Sequence, residues 1–415
     1  MVKRGHYEYP STPFNAPVYE TACVGCGQCS LLCPVGAIIE KPTWRIVMEL
    51  LEKKEKIMVV QTAPATRVAV AEEFGAEPGT ITTGKLAASL RRLGFDYVFD
   101  TNFGADLTIV EEGSELLERL KMGGPFPMFT SCCPAWVNYA EKIFPWTTKH
   151  LSSARSPHIM LGSMVKSYFA KKIGVKPKDI VVVSIMPCTA KKDEIEREQL
   201  RVDGWKPVDY VLTTRELAKL MRIKKIPFMS LPDEDYDDPL GESTGAAAIF
   251  GVTGGVMEAA LRTAYELGTG ERMEDVVFKS VRGLEDVREA VVNFNGEEIK
   301  IAVVHGLKNT GELLKKMEKG EVFYHFVEVM ACPGGCIGGG GQPRSLDPNV
   351  LTKRAQGIYT IDEMKEVRKS HENPSIKKLY EEFLGKPLGE LSEKLLHTHY
   401  KDRSKSWRNL ARFTK

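Results

Sequence analysis

One stretch limits the folds open to this chain more than any other: His325 to Pro343, HFVEVMACPGGCIGGGGQP. It begins as an apolar run of the length expected for a buried strand. It leaves that strand at Met330 and sets two thiols, Cys332 and Cys336, on the next turn. A four-residue offset predicts both side chains on one face of a helical turn. Pro333-Gly334-Gly335 fills the gap, and four glycines, Gly338 to Gly341, follow. Without side chains, such backbone can lie directly against a bulky inorganic object. Aligned thiols beside bare backbone point to a metal cluster. A glycine-rich loop with two buried, inert cysteines is the alternative.

The chain has 415 residues, enough for one large domain or two to three smaller ones, and its 43% hydrophobic content supports a sizeable core. Lys plus Arg number 57 and Asp plus Glu 55, a balance with no global pull toward nucleic acid or membrane. Met1 to Ala16 is polar and broken by Pro10 and Pro13, unlike a signal peptide. No apolar run approaches the ~20 residues of a membrane helix. The expectation is a soluble, cytoplasmic protein with no nucleic-acid partner and no membrane span. There, nine cysteines argue for metal or redox chemistry, and an odd number disfavours a complete disulfide framework.

Cys23, Cys26, Cys29 and Cys33-Pro34 are spaced C-x2-C-x2-C-x3-C-P. This is the bacterial ferredoxin-type run that wraps a [4Fe–4S] cubane, with Gly25 and Gly27 between thiolates. A zinc site is the competing reading. In two-cluster ferredoxins the fourth cysteine of a run serves the other cluster, and there is no second run here. Either Cys33 closes its own cubane or the fourth ligand comes from elsewhere, a partner chain included.

Thr43 to Lys56 reads as an amphipathic helix leading out of this module. An α/β pattern follows. Ile57 to Val60, Tyr97 to Phe99, Pro127 to Phe129, Ile180 to Ile185, Tyr210 to Leu212, Ile301 to Val304 and Phe326 to Val329 read as strands. Helical stretches such as Lys85 to Leu93 separate most of them, so a largely parallel sheet system is expected. Three strands deliver cysteines at their carboxyl ends, where open α/β sheets build their sites. Outside the N-terminal run stand Cys132, Cys133, Cys188, Cys332 and Cys336. Four can hold a second cubane, leaving one. Neighbours in extended chain point to opposite sides, and Pro134 favours extended geometry at Cys133. One of Cys132 and Cys133 is therefore a ligand and the other a free thiol beside the site.

TSCCPAW (130 to 136), MPCTAKKDE (186 to 194) and EVMACPGGCIGGGGQP (328 to 343) resemble the three signature motifs of [FeFe]-hydrogenases, in the same order and separation. The resemblance runs from about Cys23 to about Tyr400. It implies a two-lobed fold, mostly parallel sheets flanked by helices, with an H-cluster between the lobes and a ferredoxin-like module in front. The H-cluster is a [4Fe–4S] cubane joined through one cysteine to a two-iron unit bearing carbon monoxide, cyanide and a bridging dithiolate amine. By resemblance, Cys133, Cys188, Cys332 and Cys336 bind the cubane, and Cys336 bridges to the two-iron unit. Cys132 is similar to the thiol that passes protons to the amine, and Lys191 to a lysine that binds cyanide. Met186 and Met330 match methionines packed on the cluster, although plain core is equally open to them. Glu112, Glu115 and Arg119 share a helix face that composition alone would leave in solvent; with Ser152 they match the family's proton path.

The domains expected are residues 1–45, an iron–sulfur module; 46–400, the catalytic domain; and 401–415, a basic tail in which Trp407, Leu410 and Ala411 share a helical face. The implied activity interconverts dihydrogen with protons and electrons, with protons moving from Glu115 through Glu112 to Cys132. The implied partners are a ferredoxin or another redox protein and the enzymes of cluster maturation. The rival classes are a non-catalytic iron–sulfur assembly scaffold of the same fold and a hydrogen sensor. His158 departs from the glutamine of the family pattern. Gly79 to Lys85 fits G-x4-G-K, but Leu86 replaces the Ser/Thr that would hold magnesium, so a turn and helix start are expected there.

Overall fold

The computed structural model describes residues 11–12, 15–273, 275–294 and 296–405. Trp407, Leu410 and Ala411 of the basic tail lie outside the described residues. Eight strands occur among those described: β1 (Ile57–Thr62), β2 (Tyr97–Asp100), β3 (Met128–Phe129), β4 (Ile180–Met186), β5 (Tyr210–Thr213), β6 (Val287–Phe294), β7 (Glu297–His305) and β8 (Phe326–Met330). They form two four-stranded sheets, in the orders β2-β1-β4-β5 and β3-β8-β7-β6. Every pairing is parallel except β6 with β7.

The central strands read as unbroken apolar runs because both of their faces are covered. Alternate residues enter different cores. Val59, Phe99 and Val182 face one core of the first sheet, and Met58, Val60, Val98 and Val183 the other. In the second sheet Ile301, Val303 and Phe326 oppose Ala302, Val304 and Val327 in the same way. The exception is β6, which the sequence reading missed. It is an edge strand with a mostly exposed, alternating pattern, and it turns into β7 through Gly296 at φ +92°.

The helices α1 (Gln28–Leu32), α2 (Trp44–Lys53) and α3 (Thr83–Leu93) precede α4 (Thr101–Met122), which joins the two halves. Phe103, Leu107 and Val110 of α4 enter the first sheet's core, and Ala105, Ile109 and Leu116 the second's. A helix packed on both sides buries most of its surface, so each charged residue it buries needs a specific partner. Asp100 caps its first turn by accepting from Asn102 N at 2.9 Å, which satisfies an N–H the helix leaves open. The Gly79–Lys85 stretch is a turn, with Gly79 at φ +84°, running into the first residues of α3.

Candidate metal centre and proton path

Both sheets open onto one cavity. Beyond β4, Pro187 and Cys188 reach it; beyond β3, Cys132 and Cys133; beyond β8, Cys332 and Cys336. Met186, Met330 and Lys191 also line its wall. The loop after β3 is held by Trp136 Nε1 donating to Thr130 O at 3.0 Å and Ser131 Oγ donating to Ala154 O at 2.8 Å. Cys133 is extended, with φ −94° and ψ 104°, and Pro134 starts helix α5 (Pro134–Ile143) behind it.

Cys332 and Cys336 do not share a helical face. The chain turns through Gly334 (φ +70°) and Gly335 (φ +90°), and Gly335 N closes the turn on Cys332 O at 3.1 Å. These left-handed angles suit glycine and break a helical turn. Nor do the four following glycines mainly bare the backbone to the cavity. A Cβ at Gly338 would stand 2.1 Å from Pro333 O, at Gly339 2.2 Å from Pro187 O, and at Gly340 2.2 Å from Cys26 O. The run lets protein backbone approach protein backbone, and of its residues Gly339 also lines the cavity.

The thiol spacing fits a cluster better than a single ion. Tetrahedral zinc with bonds of ~2.3 Å sets its sulfurs about 3.8 Å apart. Among the described residues no three cysteine sulfurs lie within 4.8 Å of one another; only Glu266, His371 and Glu372 meet that spacing. Burial pushes the thiols of Cys133, Cys188 and Cys332 up, and that of Cys336 up to about 12. The Cys133 sulfur acts on each of the other three. Four thiols that resist ionisation, facing one another in a mostly apolar cavity, suit a polycationic centre that displaces their protons. Cys132 is set apart: after burial, the strongest influence raising it is the carboxylate of Glu112.

Lys191 Nζ donates to Glu194 Oε2 at 2.8 Å and to Cys132 O at 3.0 Å. An ammonium has three N–H groups, so one remains for an acceptor in the cavity. His158 Nε2 lies 2.6 Å from the same Glu194 oxygen, and His158 Nδ1 3.2 Å from Ser184 Oγ. Burial opposes the Glu194 charge, but Lys191 and His158 outweigh it and hold the carboxyl at about 2. Burial, with Lys191 nearby, lowers His158 to about 4, so the ring is neutral and donates through Nε2.

Glu112, Glu115 and Arg119 lie on α4, and none faces open solvent. Arg119 donates to Glu115 Oε1 at 2.6 Å, and Ser152 Oγ donates to Glu115 Oε2 at 2.9 Å. Ser152 also bonds the Glu112 carboxyl. Burial, then the Glu115 charge, push Glu112 up to about 8. Its Oε2 has no partner among the described residues, as expected of an atom that hands a proton onward. Because the folded value exceeds the ordinary 4.5, the neutral acid stabilises the fold. That contribution is complete below about pH 4.5 and is lost as pH rises through about 8. Glu112→Gln should therefore flatten the fall in melting temperature between pH 5 and 8, and an unchanged slope would refute the assignment.

The N-terminal run lies against this cavity. The Cys26 thiol feels Cys29, Cys23 and Cys133, and Cys26 in turn acts on Cys332. Gln28 Nε2 donates to Gly338 O at 2.8 Å, and the same side chain bonds the Cys332 thiol. Lys142 and Thr189 hold Cys23 O at 2.7 Å and Gly25 O at 2.6 Å. Cys33 ends α1, and the N–H groups of Ile38, Ala37, Val35 and Gly36 surround its thiol and pull it below its ordinary value. Reading the sequence missed Glu194, Ser153, Glu111 and His397. Glu194 had a signal, three residues from Lys191; the others become visible only through tertiary contacts.

A cavity walled by five thiols, an ammonium at its edge and an iron–sulfur run against it define an iron–sulfur redox protein. The family described as iron only hydrogenase large subunit, C-terminal domain, matches residues 56–340. An iron hydrogenase small subunit region matches 348–403, and a 4Fe-4S binding domain 16–39. The chain is 54% identical over 406 residues to the NADP-reducing hydrogenase subunit HndD of Solidesulfovibrio fructosivorans, covering 96% of this chain and 69% of that one. It is 46% identical over 374 residues to iron hydrogenase 1 of Clostridium pasteurianum, covering 89% of this chain and 65% of that one. An apo [FeFe]-hydrogenase HydA1 variant from Chlamydomonas reinhardtii superimposes with a TM-score of 0.79 at 45% identity, over 87% of this chain and 99% of that one. Cytosolic iron-sulfur assembly component 3 of Bos taurus is more distant, at 31% over 84% of this chain and 75% of that one. The chain belongs to the iron-only hydrogenase family.

Proposed function

We propose that this protein interconverts dihydrogen with protons and electrons at an H-cluster, relaying electrons through a [4Fe–4S] cluster in the Cys23–Cys33 run. One observation carries the reading: a buried line of titratable groups from Arg119 and Glu115 to Cys132 ends at the cavity that four other thiols enclose. When bound, the H-cluster supplies the redox chemistry that cleaves or forms the H–H bond. Cys133, Cys188, Cys332 and Cys336 would hold its cubane, Cys336 on the side of the two-iron unit, and Lys191 would offer its third N–H to a cyanide. Met186 and Met330, which line the cavity, would pack on the cluster and keep water away. The proton moves between Glu115 Oε2, Ser152 Oγ, the Glu112 carboxyl and Cys132 Sγ. Arg119 holds Glu115 at the outer end. Lys191 and Cys132 favour the enzyme over an assembly scaffold.

We divide the chain into an iron–sulfur module (1–45), a catalytic domain (46–400) and a basic tail (401–415). A ferredoxin or another redox subunit exchanges electrons at the Cys23 and Cys29 side, which is exposed. Maturation enzymes supply the two-iron unit, and the protein works in the cytoplasm. No described helix is long and apolar enough to cross a membrane.

Infrared spectra test the reading. Matured protein should display carbon monoxide and cyanide bands, evolve hydrogen and hold about ten irons per chain, against about eight and no activity without maturation. Hydrogen evolution without maturation, or zinc in the N-terminal run, would refute it. Cys33 is assigned as the fourth ligand of the N-terminal cubane. Cys33→Ala should then damage that cluster as badly as Cys26→Ala and leave the infrared bands intact. An undamaged cluster would move the fourth ligand elsewhere.

A further inference from the structure

We propose that His397 exchanges protons with the path, through the hydroxyl of Ser153 and onto Glu115. The inference rests on the hydrogenase reading above and extends it. Glu115 Oε2 accepts from two neighbouring serine hydroxyls, Ser152 Oγ at 2.9 Å and Ser153 Oγ at 3.1 Å. Ser152 leads inward to Glu112. Ser153 leads to a different group: its Oγ lies 2.8 Å from His397 Nδ1, and His397 Nε2 lies 3.1 Å from Glu111 Oε2. His397 and Glu111 are buried, at 4% and 0% exposure, while Ser153 and Glu115 are half-buried.

Backbone pairing fixes the imidazole. Ala154 bridges His397, Thr398 N donates to Ser153 O at 2.8 Å, and Arg155 N donates to Leu396 O at 2.7 Å. Glu111 is fixed in turn, accepting from the Tyr380 hydroxyl and from Leu388 N at 2.8 Å. The groups facing His397 are thus Glu111, Ser153 and Glu115, with Tyr380 behind Glu111, Arg119 on the other oxygen of Glu115, and Glu393 on its own helix. Burial works against the imidazolium, but Glu111, aided by Glu393 and Glu115, outweighs it and raises His397 above its ordinary value. The ring is therefore charged further into the neutral range than a free histidine.

One arrangement of protons satisfies every atom. The imidazolium donates Nε2–H to Glu111 and Nδ1–H to Ser153 Oγ, and the Ser153 hydroxyl donates to Glu115 Oε2. Two protons then shift by one hydrogen bond each. The Nδ1–H bond breaks as a new O–H bond forms on Ser153 Oγ. The old Ser153 O–H bond breaks as one forms on Glu115 Oε2. His397 ends neutral, Glu115 ends protonated, and Ser153 is regenerated with its hydroxyl turned toward Nδ1. No electron moves and no co-reactant is consumed. The reverse shift accepts a proton leaving the site during hydrogen oxidation.

Ser153→Ala isolates the link. It removes the hydroxyl but keeps Ser153 N donating to Glu115 at 2.9 Å and leaves the backbone pairing intact. Ser153→Thr restores a hydroxyl, and His397→Gln removes the titrating ring. The first measurement uses protein made without maturation enzymes, so it is independent of turnover. The carboxyl stretch of Glu115, assigned by its disappearance in Glu115→Gln, is followed after a light-released proton pulse together with the imidazole ring bands. In the parent protein the two should respond in step; Ser153→Ala should make one lag the other and Ser153→Thr should restore the step. In matured protein the pH profile of hydrogen evolution should lose one inflection in both Ser153→Ala and His397→Gln. Carboxyl and imidazole bands that respond independently to the pulse in a parent protein that evolves hydrogen would overturn this inference alone. Coupling that survives Ser153→Ala would overturn it too. Absence of diatomic-ligand bands and of hydrogen evolution in the matured parent would instead sink the hydrogenase reading.

Discussion

Replacing Cys132 with alanine is expected to leave every iron in place and to lower turnover by about 10²–10⁴-fold, the usual worth of a positioned proton donor. The cavity wall is mostly apolar, so a proton reaches its centre from a group on the wall within hydrogen-bond reach, ~3 Å or one water away. Cys132 is the wall thiol that feels the charge of Glu112, whose Oε2 has no hydrogen-bond partner among the described residues. Burial, then Glu112, keep that thiol neutral at working pH, so it can give up a proton and be refilled; alanine cannot. The backbone of Cys132 is a separate matter. Its carbonyl holds Lys191 at 3.0 Å, and alanine preserves that bond. Cyanide and carbon monoxide bands should therefore survive the substitution. Cys132→Asp keeps a titratable group at the position and should recover part of the rate with an altered pH profile. Cys133→Ala should fail differently, because its sulfur faces Cys188, Cys332 and Cys336; the cubane itself is lost. Iron loss in Cys132→Ala with iron retained in Cys133→Ala would mean the two neighbours have been assigned the wrong way round.

The strands carrying the site were legible because buried parallel strands are local signals: unbroken apolar runs such as Val181-Val182-Val183 that stop where a cysteine follows. Division of the five inner cysteines into four and one followed from the geometry of an adjacent pair, and the structure puts both of that pair on one cavity wall. The roles of these residues came from resemblance, and no periodicity would have supplied them. Glu112 and Glu115 illustrate the limit in the other direction. Spacing alone makes them a solvated face; only the packing of α4 between both sheets buries them. Geometry at Cys332–Cys336 was misread because an i, i+4 offset implies a shared face only when the intervening residues are helical, and Gly334 and Gly335 are not. His397 was out of reach altogether. It meets Glu111 from 286 positions away, and no local pattern anticipates such a contact.

The largest effect on electron flow is expected from a single methyl group at Gly340. A Cβ there would fall 2.2 Å from Cys26 O, 2.5 Å from Gly27 C and 2.7 Å from Gly27 Cα. Real Cβ atoms do not approach backbone so closely, so one side must move. The inner side is fixed: Gly339 N closes on Cys336 O at 3.0 Å and Gly341 N on Pro187 O at 2.8 Å, both part of the cavity wall. The outer side is the Cys26–Gly27 loop, joined to the wall by Gln28 Nε2 on Gly338 O at 2.8 Å. Gly340→Ala should therefore push the N-terminal run outward and break that bond. Overpacking of this kind costs about 1–3 kcal/mol, too little to unfold a domain of this size. The infrared bands of the active site should persist and both iron–sulfur clusters should assemble. What should fall is the magnetic coupling between them, read by electron paramagnetic resonance, and with it the rate at which a protein donor reduces the active site. Gly339→Ala provides the contrast. Its Cβ meets Pro187 O at 2.2 Å on the cavity wall itself, so it should damage the active-site cluster and leave the N-terminal one intact. Unchanged coupling and unchanged donor kinetics in Gly340→Ala would show that the close seat of the Cys26 loop is not the route by which electrons reach the site.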